Sequence, residues 1–142
     1  MRKYTWKQHP DIRDYGSDPF VFNIHHATQF NQNFRQTLWT GTHLQLTLMS
    51  IPVHCDIGVE MHSDVDQFIR IESGYAKVYF GKEKNALHEV GTINENYAIL
   101  IPAGTWHNIV NIGNRPLKLY SLYAPPQHPF GTVHKTKEDA EH

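Results

Sequence analysis

The stretch GVEMHSDVDQFIRIESG, from Gly58 to Gly74, gathers a carboxylate, an imidazole and an amide at the start of an apolar run. Glu60 and His62 are two apart, so on an extended backbone they point to the same side. Gln67 opens the run Phe68-Ile69-Arg70-Ile71, which ends at Glu72-Ser73-Gly74 and is followed by Ala76-Lys77-Val78-Tyr79-Phe80. This pattern predicts a hairpin with donor atoms at its entrance. Further on, Ile101-Pro102-Ala103-Gly104-Thr105-Trp106-His107-Asn108-Ile109-Val110-Asn111 reads as a Pro-Gly turn and a strand that presents one more histidine. Strands closing on one another would bring His107 to Glu60, His62 and Gln67.

These two segments resemble the paired motifs of the cupin family. The first motif of that family runs Gly, five residues, His-x-His, a short gap, Glu and six more to Gly; the second runs Pro-x-Gly-x-x-His-x-x-x-Asn. Pro102, Gly104, His107 and Asn111 match the second in full. The first matches in spacing with two departures: Glu60 stands at the first His, and Gln67 stands at the Glu. Asn96 stands where a Gly is usual, six before Pro102. The resemblance, spanning Leu44 to Tyr123, implies an all-β fold: one cupin double-stranded β-helix, or jelly-roll barrel, over residues 37–124. Residues 1–36 would form an N-terminal arm packing on it, and 125–142 a short Pro-rich C-terminal extension of the kind found in small bacterial single-domain cupins. The scaffold hosts isomerases, oxygenases, decarboxylases, storage proteins and sugar sensors, so fold alone assigns no chemistry.

Composition narrows the classes. A chain of 142 residues is about one domain, long enough to bury a core. A formal net charge of −1 leaves no electrostatic footprint for nucleic acid or a membrane surface. No window has the roughly 18 apolar residues of a membrane span, and the opening MRKYTWK lacks the apolar core of a signal peptide. A single cysteine, Cys55, excludes an internal disulfide and fits a reducing compartment, so a cytoplasmic location is expected. Eleven histidines are more than one metal site uses, so most are bystanders.

Elsewhere the chain is read mainly by alternation. Leu44, Leu46 and Leu48 alternate with His43, Gln45 and Thr47, giving a strand with one apolar and one polar face. Alternation does not say which face lines the interior; if the polar one does, Gln45 and Thr47 become pocket residues, and otherwise they form a solvent-facing row. Arg70 has the opposite parity to Gln67 and should point outward. Arg70, Lys77 and Lys118 are the basic residues assigned to barrel strands. Asn111 should satisfy backbone groups, Trp106 should pack, and Tyr97, Tyr120 or Tyr123 could offer a phenolic proton or serve as core. His25 and His26 are adjacent, so their side chains diverge and a packing or surface role is expected; at most a helical turn is predicted there. His54 and Cys55 read as loop residues. Prolines keep the C-terminal extension out of a central strand, and Thr136 ahead of Glu138 and Asp139 can cap a short helix. His128 and His134 read as tail residues, with folding back over the barrel mouth as the alternative.

The resemblance implies that Glu60, His62, Gln67 and His107 hold one divalent metal ion as two nitrogen and two oxygen donors. Such a set suits Zn, Fe(II), Mn, Ni or Co and leaves positions for a small-molecule substrate. A metal-free hydrogen-bonded cluster is the alternative, and Asp64 and Asp66 are lesser carboxylate candidates. Three functions follow. Phosphomannose-isomerase-like cupins use Gln, Glu and two His, which points to a sugar or sugar-phosphate isomerase. Glu60, His62 and His107 also make the two-His, one-carboxylate set of a non-heme Fe or Ni dioxygenase. A non-catalytic module binding a sugar or organic acid is the third. A homodimer is expected, paired through the Leu44-Leu46-Leu48 face or the arm.

Overall fold

Strand signals and turn signals alternate along most of the chain, and the computed structural model, which describes residues 4–141, follows them. In chain order the elements are β1 (Thr5–Lys7), β2 (Phe20–Phe22), α1 (Ile24–Phe30), β3 (Arg35–Thr40), β4 (Gln45–Ile51), β5 (Asp66–Ser73), β6 (Ala76–Gly81), β7 (His88–Ile93), β8 (Ala98–Ile101), β9 (Trp106–Asn111), β10 (Leu117–Ala124), β11 (Val133–His134) and α2 (Lys137–Ala140). A six-stranded sheet in the order β11-β3-β4-β10-β5-β8 and a three-stranded sheet β7-β6-β9 are antiparallel throughout. Both contribute to one core, in which Met49, Ile71 and Leu119 of the first meet Val78 and Ile109 of the second. This is the expected all-β jelly roll. Among the described residues, no helix is long and apolar enough to cross a membrane.

The β5–β6 hairpin turns at Gly74, whose φ of 101° lies in the left-handed region and whose Cα is packed against Leu117. A Cβ there would sit 3.2 Å from the Leu117 Cα, so both conformation and space favour glycine.

The two faces of β4 are decided by what covers them. Leu46 and Leu48 point away from the barrel interior and pack with Tyr15, Phe20, Phe22, Ile24 and Ala27, forming a second core under the N-terminal residues and α1. Burying each leucine contributes about 1.5–3 kcal/mol. Gln45, Thr47, Met49 and Ile51 therefore face inward, and Gln45 and Thr47 are completely buried. The solvent-facing alternative for the polar row does not hold. Leu44 is not part of this face: β4 starts one residue later, and Leu44 is exposed in the turn closed by Gly41 N–H donating to Leu44 O at 2.8 Å. The Leu46 and Leu48 part of the apolar surface invoked for pairing is thus covered within the chain itself, and Leu44 alone stays in contact with solvent.

Helix α1 is a full seven residues rather than a turn, capped by the Asn23 side chain accepting from His26 N–H at 2.9 Å. At the other end Thr136 and Asp139 form a reciprocal capping box on α2, as the residue order predicts.

Candidate functional site

Cross-strand register sorts the interior into rows. Ile51 pairs with Leu117, and Met49 with Leu119, which pairs with Ile71. One step along the same strands, Thr47 pairs with Ser121, and Gln45 with Tyr123, which pairs with Gln67. Directly opposed residues share a sheet face, so one end of the interior is aliphatic and the other polar. The polar end receives the motif residues.

Glu60 and His107 form an isolated antiparallel bridge: Glu60 N–H donates to His107 O at 3.0 Å, and His107 N–H donates to Glu60 O at 2.9 Å. That pairing puts both side chains on one side, and two-residue spacing adds His62. Gly104, with φ 85°, makes the turn before β9, and its N–H donates to His62 O at 2.8 Å, tying the two motifs together. Asn96 adopts φ 73° and so supplies the left-handed conformation for which glycine is usual, one that Asn tolerates.

Ligand-capable atoms of Glu60, His62 and His107 lie within 4.8 Å of one another. Glu60 Oε1 is 3.5 Å from both His62 Nε2 and His107 Nε2. Each of those nitrogens is buried and without a hydrogen-bond partner among the described residues. His107 Nδ1 lies 3.0 Å from Thr105 O, so the proton sits on Nδ1 and Nε2 keeps its lone pair free for the cluster. Gln67 is buried; its Nε2 donates to Ser121 Oγ at 2.8 Å, while its Oε1 has no partner. Lone pairs without partners, beside a carboxylate, are what a cation would satisfy; the residues present fit a divalent metal. Burial opposes ionisation of Glu60, yet the adjoining His107 and His62 imidazoles and the charge of Arg35 outweigh it, holding the carboxyl well below the usual carboxylate range.

Other candidates separate cleanly from this cluster. Asp66 accepts from Ala103 N–H at 2.9 Å, and Asp64 lies beside Ser63 on the surface. His25 Nδ1 is 2.6 Å from Glu72 Oε2, and His26 packs on His9. His54 is an exposed loop residue with φ 65°, and Cys55 packs against the core. Asn111 donates to Ile51 O, Pro52 O and Arg115 O and accepts from Gly113 N–H, a backbone role throughout. Arg70 turns outward to Asn96 and Glu72. Of the three tyrosines, Tyr123 points into the polar end: it is fully buried, with its ring edge-on to His62 at 5.7 Å between centroids.

Three residues of this end escape a strand-by-strand reading. His128 packs edge-on against Tyr123 at 5.2 Å, with Nε2 3.4 Å from the phenol oxygen; the Gln45 side chain accepts from Gln127 and His128 N–H and donates to His128 O. The C-terminal segment therefore does fold back here. Burial, then the charge of Arg35, push the His128 imidazole down to about 4. His134 pairs with Arg35 across β11 and β3. Arg35 itself belongs to a barrel strand, unlike the assignment that begins the barrel at residue 37, and it is buried. The available signal was the alternation of Arg35 and Thr37, which needed β4 as partner to acquire an inside and an outside.

Comparison with known proteins agrees with the fold. The cupin domain family matches residues 47–123. Protein YrkC of Bacillus subtilis is 57% identical over 129 residues, covering 91% of this chain and 69% of its own length. The crystal structure of BH2720 from Bacillus halodurans superposes with a TM-score of 0.89 at 58% identity, covering 91% of this chain and 98% of that one. KdgF from Halomonas sp., at 17% identity and a TM-score of 0.56 over 66% of this chain and 80% of its own, shares the fold alone.

Proposed function

Because the chain belongs to the cupin family, we propose that it is a divalent-metal cupin acting on a small molecule, with Glu60, His62 and His107 as ligands and the Gln67 side-chain oxygen as a fourth. One observation carries this reading: Glu60 Oε1 sits 3.5 Å from two buried imidazole nitrogens that have no other partner among the described residues. A metal bound there supplies Lewis-acid polarisation of a substrate carbonyl or hydroxyl. Thr105 fixes the His107 tautomer, and Ser121 holds the Gln67 amide so that its oxygen is the free end.

Within that class the reading is a sugar or sugar-phosphate isomerase-like enzyme of the phosphomannose-isomerase type. Such chemistry needs a proton-transfer group beside the metal; the Tyr123 ring edge-on to His62, with His128 Nε2 3.4 Å from its phenol oxygen, supports Tyr123 with His128 in that role. A second reading, a non-heme Fe or Ni dioxygenase, is favoured by the composition of the three-residue cluster, two His and one carboxylate. Elemental analysis of untagged protein separates them: zinc supports the isomerase, iron or nickel the dioxygenase. Absence of any bound metal after purification and reloading overturns both and leaves a binding module for a sugar or organic acid.

The protein also pairs, in this proposal, as a homodimer through its N-terminal residues, working in the cytoplasm. Trp6 and Val21 are partners across β1 and β2 and both face solvent, as does Phe30 at the end of α1. Light scattering at micromolar concentration should give twice the 16.5 kDa chain mass; a monomer contradicts it.

A further inference from the structure

Arg35 is 5% exposed, and a buried guanidinium normally has a carboxylate beside it. Among the described residues, however, Arg35 takes part in no ion pair, and its Nε has no hydrogen-bond partner. Its direction is set by register. Arg35 is opposed to Met49, an interior residue, and Thr37 to Thr47, so the polar face of β3 looks into the barrel. Arg35 and Glu60 line the same cavity of about 430 Å³, together with Lys84, Lys137 and Glu141. The hydroxyls of Thr37 and Thr47, on the same interior face, are likewise buried without partners. Although they share this cavity, Arg35 and Glu60 do not form an ion pair.

We propose that Arg35 is the anion-recognising residue of this pocket, and that the small molecule bound at the Glu60, His62 and His107 cluster carries an oxyanion, a carboxylate or a phosphate monoester, which the guanidinium grips. The proposal rests on the reading of that cluster as the binding centre and names the substrate class for it. Charge decides against a neutral ligand. A divalent ion beside a single carboxylate leaves the cluster cationic, and Arg35 adds a further positive charge in a buried setting. A hydroxyl could accept one hydrogen bond from Arg35 but would leave that charge uncompensated. A planar oxyanion takes two parallel N–H donors and neutralises it. Phe34, with its ring centroid 5.5 Å from the guanidinium carbon, flanks one side of the fork.

The test uses the full chain, with and without one equivalent of Zn²⁺, titrated with acetate, inorganic phosphate and, as a neutral control, mannose. Calorimetry and thermal denaturation are read against chloride at matched ionic strength. Acetate or phosphate should bind and raise the melting temperature where chloride and mannose do not, and the tighter of the two identifies the oxyanion. Arg35→Lys, which keeps a point charge but loses the fork, should weaken that binding by about tenfold. Arg35→Gln should abolish it while still taking up one zinc. Wild-type protein that responds to oxyanions no more than to chloride, or Arg35→Gln that binds them undiminished, overturns the proposal. Should Arg35→Gln fail to fold, Arg35→Lys and the wild-type titration still decide. Zinc uptake without oxyanion binding sinks the role of Arg35 alone, whereas Arg35-dependent oxyanion binding without zinc uptake sinks the metal reading alone.

Discussion

The same three strands, β4, β10 and β5, line both ends of the barrel interior, and the two ends behave differently. At one, Ile51, Met49, Leu117, Leu119 and Ile71 are opposed in register, all at 1% exposure or less, and contain no polar side-chain atom to satisfy. At the other, further along the same strands, stand Thr47, Gln45, Ser121, Tyr123 and Gln67, also buried, with the apolar Ile69 opposite Ser121; His62, His107 and Glu60 join them, and Arg35 stands opposite Met49 between the two ends. Burial stabilises the first end through the hydrophobic effect. The second end leaves several polar atoms without hydrogen-bond partners among the described residues, a cost to stability that the first end does not carry. A fold can therefore place a site without altering its backbone plan; it changes side chains while keeping alternation.

This contrast predicts that stability and ligand binding come apart by location. His62→Ala or His107→Ala should weaken divalent metal affinity by more than about 100-fold, since even removing a supporting outer partner can cost that much. Titration of apo-protein with zinc checks it, and unchanged affinity would remove the residue from the cluster. Leu119→Ala should do the reverse: lose about 2–5 kcal/mol in denaturant unfolding while its metal affinity stays at the wild-type level. A core variant that also loses metal would mean the two ends are coupled.

A smaller effect concerns the lid-like contact of the C-terminal segment with the polar end. His128 has a folded-state value of about 4 against an ordinary 6.5. Between those values the unfolded chain binds the extra proton, so the stability His128 contributes is present above pH 6.5 and is lost as pH falls through 4. The full shift corresponds to up to about 3 kcal/mol, less in proportion to the solvent contact His128 retains. His128→Gln should flatten the fall in melting temperature over that window; a wild-type curve that the substitution leaves unchanged would argue that the imidazole is already free there.

The smallest effect sharpens the role of Gln67. Replacing a neutral oxygen donor by an anionic one, Gln67→Glu should tighten divalent metal binding by roughly tenfold, about 1.4 kcal/mol. Turnover, where the metal acts by polarising a carbonyl, should slow, because a more anionic ligand set lowers Lewis acidity. Equal metal affinity in the two proteins would leave a three-ligand Glu60, His62 and His107 cluster and favour the dioxygenase.

By itself the sequence determined what depends on local order. Two-residue spacing put Glu60 and His62 on one side, a Pro-Gly turn put His107 at the head of β9, Asn111 could be assigned to backbone groups, and Thr136 to the cap of α2. Tertiary structure decided what depends on a neighbour. Alternation divides β4 into two faces but is symmetric between them, and only the packing of Tyr15, Phe20 and Ala27 on Leu46 and Leu48 made the polar face the inner one. Arg35 became an interior residue through its pairing with Met49, and His128 reached Tyr123 because Gln45, 83 residues earlier, holds its backbone. Contacts between residues far apart in the chain carry no local periodicity, so the composition of the polar end beyond its motifs is written only in the fold.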